Sequence, residues 1–147
     1  MDLAYPTAQR IGGLIEITLS DINEKGIAFR QNKTGKKLLV KMTPELNKAI
    51  ERIHQLPHKI GSLVLFHTQK GRSYTYAGVS VMFRRAVKAS GVKDFHFHDL
   101  RAKALTDAKK AGLDSQKLAG HATEKMTAHY IKRREIEEAT PLPRTVL

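Results

Sequence analysis

The stretch "HDLRAKALTDAKKAG", from His98 to Gly112, decides the reading of the chain. Leu100, Ala104, Leu105, Ala108 and Ala111 recur at helical intervals and form one apolar stripe, and Gly112 supplies the stop. His98 and Arg101 stand three apart at the start of the same helix, so they share a face and can address one ligand. Taken alone, the pair is weak evidence for a site.

Working outward, "GIAFRQNKTGKKLLVKM" places apolar Ile27 and Phe29 before a polar, basic tip, then alternates Leu38, Val40 and Met42 with period two. It predicts a β-hairpin, with Gly35 supplying the positive φ of the turn. Thr43 and Pro44 are a cap and first residue for a helix with Leu46, Ile50 and Ile53 on one stripe, ended by Pro57. "SLVLFHT" is a strand candidate, and "QKGRSYTY" a loop. From about Ala77 to Gly91 a helix presents Arg84, Arg85 and Lys88 to solvent or to a phosphate backbone.

Before the hairpin, "TAQRIGGLIEITLSDI" reads as the end of one helix and the start of another, carrying Leu14, Ile15, Leu19 and Ile22. The chain begins in what reads as helix interior, which predicts that the domain lacks its first helices and is a fragment. After Gly112, "LDSQKLAG" is a short helix and "HATEKMTAHYIKRREIEEA" another, with Thr123 as its cap. Pro141 and Pro143 extend the tail. The fold class is mainly α with a small antiparallel sheet.

A length of 147 residues accommodates one ordinary domain. With 26 Lys and Arg against 14 Asp and Glu, the formal charge of +12 favours a polyanionic partner, because neutralised phosphates release condensed counterions. Double-stranded DNA is the first partner to consider. The basic residues are spread along the chain rather than gathered on one amphipathic helix, which disfavours a membrane surface. The absence of cysteine excludes disulfides, thiolate metal sites and cysteine nucleophiles, and fits a reducing intracellular compartment. No apolar run approaches the roughly 20 residues of a membrane span.

Singly, the reactive residue types are unremarkable: an "HxxR" pair is more often a cap and a solvated arginine, and a tyrosine among apolar residues is usually core. Their order changes the reading. "TAQRIGGL" around Arg10, "QNKTGKKL" around Lys33, "HFHDLRA" around His98 and Arg101, and "LAGHATEKMTAHY" ending in His121 and Tyr130 follow one another over nearly the whole chain. This set resembles that of the tyrosine recombinases, the phage integrase family, with integrases of the lambda kind as the most similar branch.

The resemblance implies a catalytic domain over residues 1–147, separated from the family's core-binding and arm-binding domains, which the chain does not contain. It implies site-specific DNA recombination at attachment sites: Tyr130 attacks the scissile phosphate, forms a 3′-phosphotyrosyl link and releases a 5′ hydroxyl. Arg10 and Arg101 form a guanidinium clamp, suited to the negative charge that builds on the phosphate oxygens. His98 takes the phenol proton, His121 donates to the phosphate, and Lys33 on the hairpin tip protonates the leaving oxygen. Lys36 and Lys37 stand close enough to compete for that last role, and otherwise, with Arg84, Arg85 and Lys88, contact DNA. The phosphotyrosyl link conserves the phosphodiester energy, so no metal or cofactor is required. The family's pattern further implies a tetramer on DNA, strand exchange through a Holliday junction, a tail after Tyr130 that packs on a neighbouring protomer, and action in the cytoplasm of a bacterial host, at its nucleoid.

Three rivals differ in what they explain. A basic binding module without chemistry leaves the ordered set as coincidence. A metal hydrolase built on His96 and His98 with His121 or His129 needs a third ligand and a carboxylate base, and Asp99 is the only acid beside the motif. A type IB topoisomerase uses a similar residue set, but the hairpin and the strings around Arg10 and Tyr130 favour integrase.

Overall fold

The period-two alternation between Ile27 and Met42 becomes a sheet because it puts one apolar face on a core. In the computed structural model, which describes residues 2–30, 35–57, 61–121 and 123–132, β2 (Gly26–Arg30) pairs antiparallel with β3 (Lys37–Lys41). Ile27 opposes Val40 and Phe29 opposes Leu38, and all four side chains join one cluster. Gly26 has φ 146°, and a Cβ there would lie 2.0 Å from the Val40 carbonyl oxygen, so glycine lets the strands close. Gly35 takes φ 65°, as the turn requires. Lys36 and Lys37 are exposed at the base of the tip, and Lys33 lies outside the described residues.

The segment before the hairpin departs from its helical reading. A first helix, α1 (Ala4–Thr7), is cut by Ala8 in the left-handed region at φ 50°, and Arg10 in extended backbone opens α2 (Ile11–Ile15). Two helices meet here as expected, but the second does not reach Ile22. Asp21 folds back, accepting from the Thr18 backbone N–H at 2.8 Å and its hydroxyl at 2.6 Å, and closes a 3-10 turn over Leu19–Asp21. Ile22 then leads β1 (Ile22–Asn23), whose partner is β2, giving the order β1-β2-β3. β-Branched Ile17, Thr18 and Ile22 favour this extended path over helix.

The strand expected in "SLVLFHT" shrinks to bridges. Thr18 pairs with Val64, flanked by hydrogen bonds from Leu65 N to Ile17 O and from Leu19 N to Leu63 O, and His67 pairs with Ser73. Leu65 is buried while Leu63 is 77% exposed, and among the described residues the run makes only these isolated bridges.

Helix α3 (Pro44–His54) starts as predicted, with the Thr43 hydroxyl accepting from Leu46 N at 3.2 Å. Helix α4 (Tyr76–Ala89) is capped by Thr75 and contains no buried residue. Helix α5 (Phe97–Lys110) is the spine: Phe97 and Leu100 pack on the sheet cluster, whereas Ala104 and Leu105 form a second cluster with Ala8 and Ala119. Its buried face is wider than the stripe predicted, taking in Arg101, Ala102 and Thr106, and it stops short of Ala111, which caps the helix in the open.

Helix α6 (Ser115–Ala119) follows, capped by Asp114 and ended by Gly120 at φ 65°. Helix α7 (Glu124–Lys132) begins directly after Thr123, with Thr127 and Ile131 buried. The predicted continuation of this helix and the proline-bearing tail lie outside the described residues. Among the described residues no helix is long and apolar enough to cross a membrane.

Candidate active site

The centre of the site is a buried arginine. Arg101, 1% exposed, extends from α5 and donates through Nη1 to the Ala8 carbonyl and through Nη2 to the Ala119 carbonyl at 2.9 Å. Both acceptors sit at breaks in the backbone: Ala8 in its left-handed turn, and Ala119 at the end of α6. The guanidinium thus ties the N-terminal segment and α6 to α5, which explains how so polar a side chain is held inside. Gln9 reinforces the joint from the other side, donating to Thr7 O at 3.0 Å and Leu118 O at 2.8 Å.

Arg101 Nη2 also reaches His121 Nε2, at 3.0 Å. Arg10 approaches the same nitrogen through its Nη2, at 3.5 Å. Arg10 is half-buried at the start of α2, so residues 111 apart in sequence meet on one imidazole. His121 itself is buried just past Gly120, and its Nδ1 lies 3.0 Å from the Thr127 hydroxyl on α7.

A protonation state follows from these partners. Arginine only donates, so Nε2 must offer a lone pair to the guanidiniums, and the ring proton then sits on Nδ1, pointing to Thr127. Burial first, then the charges of Arg101 and Arg10, push the His121 pKa down to about 4. The ring is neutral at pH 7. It is an acceptor toward the arginines, and donation to a phosphate oxygen requires Nε2 to take up a proton.

Of the other residues singled out by sequence, His98 is exposed in the first turn of α5, one turn before Arg101. The N-cap of that helix is His96, whose backbone N–H donates to Asp99 Oδ2 at 2.7 Å and whose Nδ1 lies 3.5 Å from the same oxygen. Asp99 is thereby engaged in capping the start of the helix. Among the described residues no three His, Asp or Glu side chains gather in a metal-binding arrangement. Tyr130 belongs to α7, three residues beyond Thr127. Arg84, Arg85 and Lys88 are exposed along α4.

Sequence reading missed Thr127 and Gln9. A small hydroxyl three residues before a tyrosine, or an amide beside an arginine, has no distinguishing pattern; only the packing of α7 and α1 against α5 gives each a polar partner in the interior.

Comparison with known proteins gives the family and the fold. An integrase of Enterobacteria phage P21 is 31% identical over 146 residues, covering 88% of this chain and 38% of its own length. The chain therefore spans about two fifths of that relative. Among solved structures, the lambda integrase catalytic core superposes with TM-score 0.69 at 28% identity, covering 82% of this chain and 79% of that one. A lambda integrase tetramer bound to a Holliday junction gives TM-score 0.76 at 26% identity over 95% of this chain and 43% of that one. The profile described as "Phage integrase family" matches residues 1–136, and the chain belongs to that family.

Proposed function

We propose that residues 1–147 are the catalytic domain of a longer site-specific DNA recombinase, acting on double-stranded attachment sites in the cytoplasm of a bacterial host. The observation that carries this reading is the convergence of Arg10 and Arg101 on His121, packed against the helix that contains Tyr130. Two permanently charged forks that meet on one nitrogen make a cationic pair of the kind that suits the non-bridging oxygens of a phosphodiester.

In the reaction, the Tyr130 phenol oxygen forms a bond to phosphorus while the bond from phosphorus to the 5′ oxygen breaks. The phenol proton passes to His98, and the 5′ oxygen takes a proton from Lys33 of the hairpin tip, or from Lys36 or Lys37. The clamp stabilises charge on the non-bridging oxygens as it develops. His121, protonated at Nε2 once an anion lies beside it, adds a donor. Attack by a 5′ hydroxyl of another strand reverses the step, and two rounds within a tetramer exchange both strands through a Holliday junction. Lys36, Lys37, Arg84, Arg85 and Lys88 hold the duplex backbone. The segment after Tyr130 packs on the neighbouring protomer.

The test is covalent trapping. The full-length parent and its Tyr130→Phe variant are incubated with nicked duplexes that span the ends of the element, and adducts are sought on denaturing gels. An adduct that requires Tyr130 and maps to its peptide is the expected result. Binding without any adduct would leave a basic binding module.

A further inference from the structure

We propose that Thr127 is a positioning residue of this site: by accepting the Nδ1 proton of His121 it fixes the tautomer and the ring plane that aim Nε2 at the two guanidiniums. The inference deepens the recombinase reading and rests on it for its catalytic consequence, but its structural part stands alone.

The geometry is specific. The imidazole has two nitrogens and a polar partner on each side, Arg101 Nη2 at 3.0 Å from Nε2 and Thr127 Oγ1 at 3.0 Å from Nδ1. Arginine cannot accept, so the opposite tautomer would set an Nε2 proton against Nη2 hydrogens in a buried space. The Thr127 hydroxyl can accept the hydrogen bond from Nδ1–H. Thr127 is itself 3% exposed, so water does not compete for it.

The same bond survives protonation. An imidazolium donates from both nitrogens; Thr127 keeps accepting at Nδ1, and the new proton appears on Nε2, facing the clamp. The ring thus changes from holding the arginines to contacting an anion without turning over. Because Thr127 is on α7 and His121 precedes that helix, the bond also keys the docking of the Tyr130 helix to the imidazole. A valine would fill the same volume and keep the packing, but would leave Nδ1 buried without an acceptor.

The proposal is tested on the 147-residue chain labelled with nitrogen-15. Long-range proton–nitrogen correlation at neutral pH, with His121→Gln identifying the signal, should show His121 protonated at Nδ1 and bare at Nε2. Thr127→Val should abolish that single-tautomer signature, and Thr127→Ser should restore it. In the full-length parent, Thr127→Val should slow single-turnover strand cleavage by about tenfold, the effect of losing one net hydrogen bond, with DNA affinity unchanged and recovery in Thr127→Ser. A wild-type His121 carrying its proton on Nε2, or a tautomer indifferent to valine, overturns the proposal, and the wild-type spectrum decides even if valine prevents folding. Failure of the recombinase reading has a separate signature: no Tyr130 adduct, with the tautomer still following residue 127.

Discussion

Helices α4 and α5 have the same length, 14 residues, and both carry alternating apolar and basic residues, yet they do opposite work. α5 buries six residues, a guanidinium among them, and joins both hydrophobic clusters. α4 buries none; it leans on the domain through Phe83, which meets Phe97 edge-on at 5.2 Å and Phe95 at 6.0 Å, and leaves Arg84, Arg85 and Lys88 in water. The difference teaches that a basic side chain is worth what its surroundings make it: on α4 it adds to a diffuse field, whereas on α5 it holds backbone breaks in place and aims a charge.

The contrast can be broken most directly in the core. Leu105 is fully buried, so Leu105→Ala should cost about 2–5 kcal/mol, whereas Val81→Ala on α4 should fall within about 0.5 kcal/mol. Equal losses in urea unfolding would mean that α4 is as integral as α5. The same pairing applies to charge. Arg101→Met strands the carbonyls of Ala8 and Ala119 and should destabilise by about 3 kcal/mol, against a change within about 0.5 kcal/mol for Arg85→Met.

Acid sharpens the comparison further. The His121 pKa is about 4 in the fold against an ordinary 6.5, so the unfolded chain binds the proton more readily between those values. Its contribution, up to about 3 kcal/mol, should be intact above pH 6.5, fade as the pH falls toward 4 and level off below. Denaturation midpoints measured across that window should lose this slope in His121→Gln. A slope that persists in the variant would place the titrating group elsewhere.

The smallest effects belong to α4. Replacing Arg84, Arg85 and Lys88 by Gln one at a time should leave unfolding unchanged within about 0.5 kcal/mol. Each should lower the salt dependence of duplex binding by the full-length parent by about 0.9 in log–log slope if that residue neutralises one phosphate. Unchanged slopes in all three would detach α4 from the DNA interface.

Much of the architecture was legible because local chemistry agreed with tertiary context. Thr43-Pro44, the alternation through Ile27 and Val40, and the stripe through Leu100 and Leu105 each met a partner of the expected kind. Expectation failed at Ile22, where Asp21 captures the Thr18 backbone and an extended path wins, and at "SLVLFHT", where among the described residues an apolar run makes only isolated bridges. Strand pairing depends on what lies beside the segment, and no window of sequence contains that neighbour.

By itself the sequence determined the residue types, the order of Arg10, Lys33, His98, Arg101, His121 and Tyr130, the helix caps and the basic excess, because composition, spacing and capping act over a few residues. Only the tertiary structure decided that Arg10 and Arg101 meet on one nitrogen, that Arg101 is buried, and that Thr127 lies on the other side of the ring. Those contacts join segments up to 111 residues apart, and burial, which sets the neutral state of His121, exists only once the chain has closed around it.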